Sequence, residues 1–151
     1  MALRYLDRRD YTEAELRAKL TGRGVDDDVA GAVLERFGQV GLVDDRRYAE
    51  RYAVSRQSLR SLSRSSVRRE LQRKGVDPDI VAEATQALDD ESEYAAASEF
   101  AQRRLRSVAR HPRDVQYRRV GAALARKGFS PSLVHRLLGE LLSGAGDDTG
   151  E

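Results

Sequence analysis

Apolar positions recur along this chain at a spacing that exposes an internal repeat. The segments LRAKLTGRGVDDDVAGAVL (16–34), VRRELQRKGVDPDIVAEAT (67–85) and VGAALARKGFSPSLVHRLL (120–138) align without gaps on Gly24, Gly75 and Gly128, which lie 51 and 53 residues apart. An apolar residue stands eight positions before each glycine (Leu16, Val67, Val120) and a leucine four before it (Leu20, Leu71, Leu124). After it come Val25, Val76 and Phe129, then Val29, Ile80 and Leu133. Apolar residues four apart trace one stripe of a helix. The glycine fits the left-handed position that closes many helices, where a Cβ is costly. Asp26, Asp77 and Ser130 follow two residues later as N-caps for a second helix. Pro78 and Pro131 fit its first position, where the missing N–H costs nothing. Each repeat therefore predicts a helix, a tight glycine turn and a second helix.

A further helix precedes each pair. In the first repeat it covers about Ala2 to Arg9, and Thr12 with Glu15 forms a capping box for the helix after it. In the second it covers Asp45 to about Gln57, with Asp44 as N-cap and an apolar staple between Val43 and Tyr48. In the third it is long, from about Glu91 to Arg110. There Tyr94, Ala97, Ala101, Leu105 and Val108 trace one stripe, and Pro112 is expected to end it. The expected architecture is all-α: three tandem three-helix repeats (1–44, 45–90 and 91–142) forming an elongated, curved helical array. The tail SGAGDDTGE, 143–151, is small and acidic and is expected to be disordered.

Composition narrows the function classes. Aromatic residues make up 6% of the 151-residue chain and there is no Trp, which favours thin layers of Leu, Val and Ala over a thick core. With no Cys, disulfides and Cys-based zinc sites are excluded. His111 and His135 are the two imidazoles, and neither sits in a constellation of ligands, so no metal is expected. No phosphate loop, nucleophile elbow or carboxylate pair appears, so no cofactor and no catalytic residue is expected and the chain reads as a non-enzyme. Asp44–Asp45 and Asp26–Asp27–Asp28 are explained as N-caps and helix-dipole partners. Tyr48, Tyr52, Phe37 and Phe100 fall at core spacings, whereas Tyr5, Tyr11 and Tyr117 are open between core and stacking roles. No apolar run is long enough to cross a membrane and the N-terminus lacks a secretory signal, so a soluble cytoplasmic protein is expected, with nothing that demands a dimer.

The junction GLVDDRRYAERYAVSR (41–56) resembles the RecX family. The residues that carry the likeness are Gly41, Leu42, Val43, Asp44, Asp45, Arg47, Tyr48, Ala49 and Tyr52. ELQRKGVDPDIV (70–81) is similar to the family's second-repeat signature. The likeness extends from residue 2 to about 142. Two departures stand out: the chain starts almost at the first helix, where many members carry an extension, and the linker 56–66 has no Gly. The resemblance implies a regulator that binds the RecA recombinase filament on DNA. It further implies restraint of strand exchange, ATP hydrolysis and coprotease activity.

The net charge of +2 hides an uneven distribution. Residues 1–48 hold nine cationic and ten acidic side chains, whereas 91–142 hold ten and five. The candidate surface for RecA or DNA comprises Arg56, Arg60, Arg64, Arg68, Arg69, Arg73 and Lys74 in the middle of the chain. The third repeat adds Arg103, Arg104, Arg118, Arg119, Arg126 and Lys127. Single- or double-stranded DNA is a further expected partner. Arginine also serves simply as a solvated helix former, so each residue taken alone is weak evidence. Two other readings compete: a non-specific DNA-binding helical protein and a helical adaptor for an unrelated partner. Sequence-specific reading by a helix-turn-helix is disfavoured, because two of the three second helices are acidic or neutral and would repel phosphate.

Overall fold

The computed structural model describes residues 1–6 and 9–144. Among these residues there are nine α-helices and no strand. They are α1 (Ala2–Leu6), α2 (Glu13–Gly22), α3 (Asp27–Gln39), α4 (Asp45–Arg60), α5 (Arg64–Arg73), α6 (Pro78–Gln86), α7 (Asp90–Ser107), α8 (Arg113–Arg126) and α9 (Pro131–Gly144). The chain is all-α, as its pattern predicts. The first helix ends at Leu6 rather than Arg9, with Asp7 and Arg8 outside the described residues. Residues 145–151, most of the expected tail, also lie outside them, and Ser143 and Gly144 belong to α9.

The glycine turns form as the repeat predicts. Gly24, Gly75 and Gly128 have φ of 89°, 79° and 94°. In each turn the glycine N–H bonds back to Thr21, Gln72 or Ala125. The next N–H (Val25, Val76, Phe129) reaches the carbonyl of the leucine that shares the repeat's register (Leu20, Leu71, Leu124). This paired closure satisfies carbonyls that the helix end leaves free. The following helices start on side-chain caps. Asp26 accepts from Asp28 N–H, Asp77 from Asp79 N–H and Ser130 from Leu133 N–H. Pro78 and Pro131 occupy the first helical positions.

By their internal contacts the described residues form two compact units, Met1–Ala53 with Arg68–Ala87, and Val54–Val67 with the described chain after Ala87. The borders cut α4 and α5, so the second repeat contributes to both units. In the first unit Tyr11, Leu16, Leu34 and Val43 form one apolar cluster, and Ala2, Leu20 and Ala30 another. In the second, Phe100 and Ala101 of α7 pack with Val120 and Leu124 of α8 and Leu137 and Leu138 of α9.

Each unit contains the same joint. In the first, the Lys74–Gly75 turn sits on the start of α2. The Lys74 carbonyl accepts from Thr12 Oγ1 at 2.9 Å, and Lys74 Nζ reaches Glu15 Oε2 at 3.2 Å. Thr12 and Glu15 at the same time complete the expected capping box. In the second unit, the Lys127–Gly128 turn sits on the start of α5. The Lys127 carbonyl accepts from Ser63 N–H at 3.0 Å and Ser66 Oγ at 3.1 Å. Both glycines are in close contact there. A Cβ on Gly75 would lie 2.5 Å from Ala14 Cβ, and one on Gly128 2.0 Å from Ser66 Oγ. A Cβ on Gly24 would meet nothing within 4 Å. The first repeat differs accordingly: Val25 is half-buried and Val29, aligned with Ile80 and Leu133, is 53% exposed.

The end of α7 departs from expectation. It stops at Ser107, short of the expected Arg110, and Pro112 takes the N-cap position of α8. Gln116 Nε2 donates to the carbonyls of Ala109 (3.3 Å) and His111 (2.8 Å), satisfying acceptors of the turn between the two helices. In the glycine-free linker, Ser61 adopts φ 54°, the left-handed conformation usually left to Gly.

Candidate functional site

In the first unit the candidate cations lie on and just after α5. Val67 and Leu71 on that helix are buried, which leaves Arg68, Arg69 and Arg73 exposed on its other faces. Lys74 is engaged with Glu15. Partial burial works against the Lys74 charge, yet the hydrogen bonds and charges of Glu15 and Tyr48 together outweigh it and raise the ammonium above its ordinary value. A separate groove of about 380 Å³ in this unit has Glu13, Asp44, Asp45 and Asp77 among its lining, beside Arg46. Asp44 caps α4 through Arg47 N–H, as expected, and Asp45 Oδ1 accepts from Glu13 N–H at 2.9 Å. Burial raises the Asp45 carboxyl above its ordinary range.

In the second unit the candidates divide by what they touch. Arg64, the first residue of α5, is an internal tie. Its Nε donates to Glu93 Oε2 at 2.8 Å, its NH2 to Asp90 Oδ1 at 2.6 Å and its NH1 to the Leu88 carbonyl at 3.1 Å. Burial opposes the Arg64 charge, but the two carboxylates hold its pKa above the ordinary value. Lys127 Nζ donates to the Arg60 carbonyl at 2.9 Å and lies 5.5 Å over the Phe100 ring. Arg103 reaches Ser61 Oγ at 3.2 Å and pairs with Glu99 at 3.9 Å. Arg60 and Arg118 are exposed and Arg56 is half-buried.

The remaining three converge. Arg104 from α7 and Arg119 and Arg126 from α8 line one groove of about 320 Å³ with Val108, Val120 and Ala123. Arg119 and Arg126 are seven residues apart, two turns along one helix face, a spacing visible in the sequence. That Arg104, and not its neighbour Arg103, joins them is set by α7 packing on α8, which periodicity alone does not reveal. Ser107 and Val108 also line the groove and carried no signal in the sequence beyond the apolar stripe.

Several of the aromatic residues pack against one another or in the cores. Tyr11 is buried edge-on to Tyr5, with centroids 6.0 Å apart, and Phe100 is buried. Tyr48 stacks on Tyr52, whose hydroxyl donates to Glu70 at 2.6 Å. Tyr117 Oη lies 2.8 Å from His135 Nδ1. Among the described residues no group of three His, Asp or Glu side chains is placed to hold a metal, and no helix is long and apolar enough to cross a membrane.

Residues 1–37, 44–84 and 90–138 match family models described as the first, second and third three-helix domains of RecX. The chain is 40% identical over 146 residues to the regulatory protein RecX of Thermobifida fusca, covering 97% of this chain and 79% of that one. It is 35% identical over 149 residues to the regulatory protein RecX of Streptomyces coelicolor, covering 99% and 79%. Its fold is similar to the crystal structure of RecX from Lactobacillus salivarius, with a TM-score of 0.81 at 21% identity over 93% of this chain and 91% of that one. Three domains of one family matched in chain order, with such identity along almost the whole length, place this chain in the RecX family.

Proposed function

We propose that this chain binds the RecA filament on DNA and modulates it, chiefly by restraining strand exchange, ATP hydrolysis and coprotease activity. It acts in the cytoplasm, where that filament assembles, and works by binding rather than catalysis. Membership of a family of regulatory proteins supports the reading. The observation that carries it to a surface is the set of exposed arginines on the second unit, with Arg104, Arg119 and Arg126, which form no ion pair among the described residues, gathered on one groove. Of the thirteen candidate cations, Arg60, Arg68, Arg73 and Arg118 are the other exposed members that suit a binding role, while Arg64 and Lys74 are committed to internal ion pairs. The three repeats, with borders near residues 44 and 90, then act as modules whose weak contacts add through effective concentration.

The test adds the protein to RecA filaments preformed on single-stranded DNA and follows sedimentation and ATP hydrolysis. Co-sedimentation and a slower rate are expected. A protein that stays in the supernatant and leaves the rate unchanged overturns the proposal. The exposed arginines also favour a second reading, non-specific DNA binding. Under that reading the protein binds naked DNA as tightly as filaments, with a steep loss of affinity in salt.

A further inference from the structure

The arginine groove of the second unit has a lining of mixed character. Arg104, Arg119 and Arg126 bring three guanidiniums to it, and Val108, Val120 and Ala123 give it an aliphatic floor. None of the three makes an ion pair with a carboxylate among the described residues. Arg104 lies 5.3 Å over the Phe100 ring and Arg119 contacts His111 Nε2 at 3.2 Å. Two other cations of the same unit are paired instead, Arg64 with Glu93 and Asp90 and Arg103 with Glu99. Three like charges on one concave surface raise its potential and attract an anion. An anion alone, however, would leave the aliphatic floor in water.

We infer that this groove takes an extended acidic segment of a protein partner, with its carboxylates on Arg104, Arg119 and Arg126 and an aliphatic side chain on the floor. The guanidinium fork suits carboxylates, which it can hold by two parallel hydrogen bonds. The floor suits a Leu, Ile or Val side chain spaced between them. A single DNA strand would satisfy the guanidiniums through its phosphates, but its bases are held chiefly by stacking on aromatic rings, and no aromatic side chain lines this groove. The inference rests on the binding role proposed above and names the chemistry that one face of that role recognises.

The experiment titrates the full chain into a short fluorescein-labelled peptide alternating Glu and Leu, read by anisotropy. Three controls run beside it: a peptide alternating Gln and Leu, one alternating Glu and Ser, and an oligothymidylate of similar length. The Glu–Leu peptide is expected to bind more tightly than all three. Each of Arg104→Gln, Arg119→Gln and Arg126→Gln is expected to weaken it by about tenfold, the loss of one charge-assisted pair. Ala122→Glu, an exposed change beside the floor, is expected to abolish binding with unchanged far-ultraviolet circular dichroism. Oligothymidylate binding that equals or exceeds the peptide's, or peptide binding that survives the three substitutions, overturns the assignment. The same proteins are sedimented with RecA filaments in parallel. Wild-type protein that pellets with filaments but ignores the peptide defeats the groove assignment and leaves the regulatory role standing. Protein that binds the peptide but not filaments does the reverse.

Discussion

Gly75→Ala separates two reasons for a glycine that look identical in the sequence. Gly24, Gly75 and Gly128 close equivalent turns at similar positive φ, so conformational cost alone predicts the same penalty at each, about 1–2 kcal/mol. At Gly75 the added methyl would also stand 2.5 Å from Ala14 Cβ, where carbons in contact prefer about 3.5–4.0 Å. Ala14 has no rotamer by which to withdraw, so the turn must shift by about 1 Å, an overpacking strain of about 1–3 kcal/mol. That shift also loosens the bond from Thr12 Oγ1 to the Lys74 carbonyl, 2.9 Å in the native joint and worth about 1 kcal/mol. Together these give about 3–6 kcal/mol for Gly75→Ala, against about 1–2 kcal/mol for Gly24→Ala, whose added methyl meets nothing within 4 Å. Urea denaturation followed by circular dichroism reads both. A double-mutant cycle with Ala14→Gly tests the cause, because removing the obstructing methyl should recover part of the loss beyond additivity. Equal penalties at Gly24 and Gly75, together with no coupling to Ala14, would refute the argument.

Three further outcomes follow from the same geometry. Glu93→Ala removes the acceptor for both the Arg64 backbone and side chain and should cost about 1–3 kcal/mol by urea denaturation, allowing for the one-third exposure of Arg64; Glu93→Gln, which keeps an acceptor, should cost less. For Glu15, burial alone would raise the carboxyl, but the Thr12 N–H and the Lys74 ammonium outweigh it and hold it below the ordinary carboxylate range. Its contribution is therefore complete above the unfolded value and lost as pH falls through the lower folded one, so Glu15→Gln should flatten the acid side of a stability-against-pH curve. Ser61→Gly relieves a positive φ but gives up the bond from Arg103, so a net gain in stability of about 0.5–1 kcal/mol is expected in thermal unfolding.

Much of the fold was legible because its punctuation is local. A leucine four before a glycine, an Asp or Ser two after it and a Pro next are short-range rules, and the helices begin and end where those rules place them. The features that were not legible depend on residues far apart in the chain. Gly75 and Gly128 look like turn glycines, yet their close contacts are with Ala14 and Ser66, 61 and 62 residues earlier. The turn after α7 is held by Gln116, a side chain from the next helix that takes up acceptors there. Val29 shares the repeat's register with Ile80 and Leu133 but remains exposed, because periodicity names a face and not what covers it.

The same distinction governs the cations, and it decides how binding should be tested. Counting charges along the sequence treats Arg64, Lys74 and Lys127 as equal to Arg104, Arg119 and Arg126. In the structure the first three hold the molecule together: Arg64 on Glu93 and Asp90, Lys74 on Glu15, and Lys127 on the Arg60 carbonyl. Replacing any of them removes a charge and loosens a joint at once, so lost binding would not distinguish recognition from folding. The groove arginines carry no such internal ion pair among the described residues. Removing them lowers the local positive potential while leaving the packed elements beneath them in place. A loss of partner binding at Arg104, Arg119 or Arg126 with unchanged unfolding would thus report on the surface itself. The same loss at Arg64 would have to be read first against the stability of the unit it ties together.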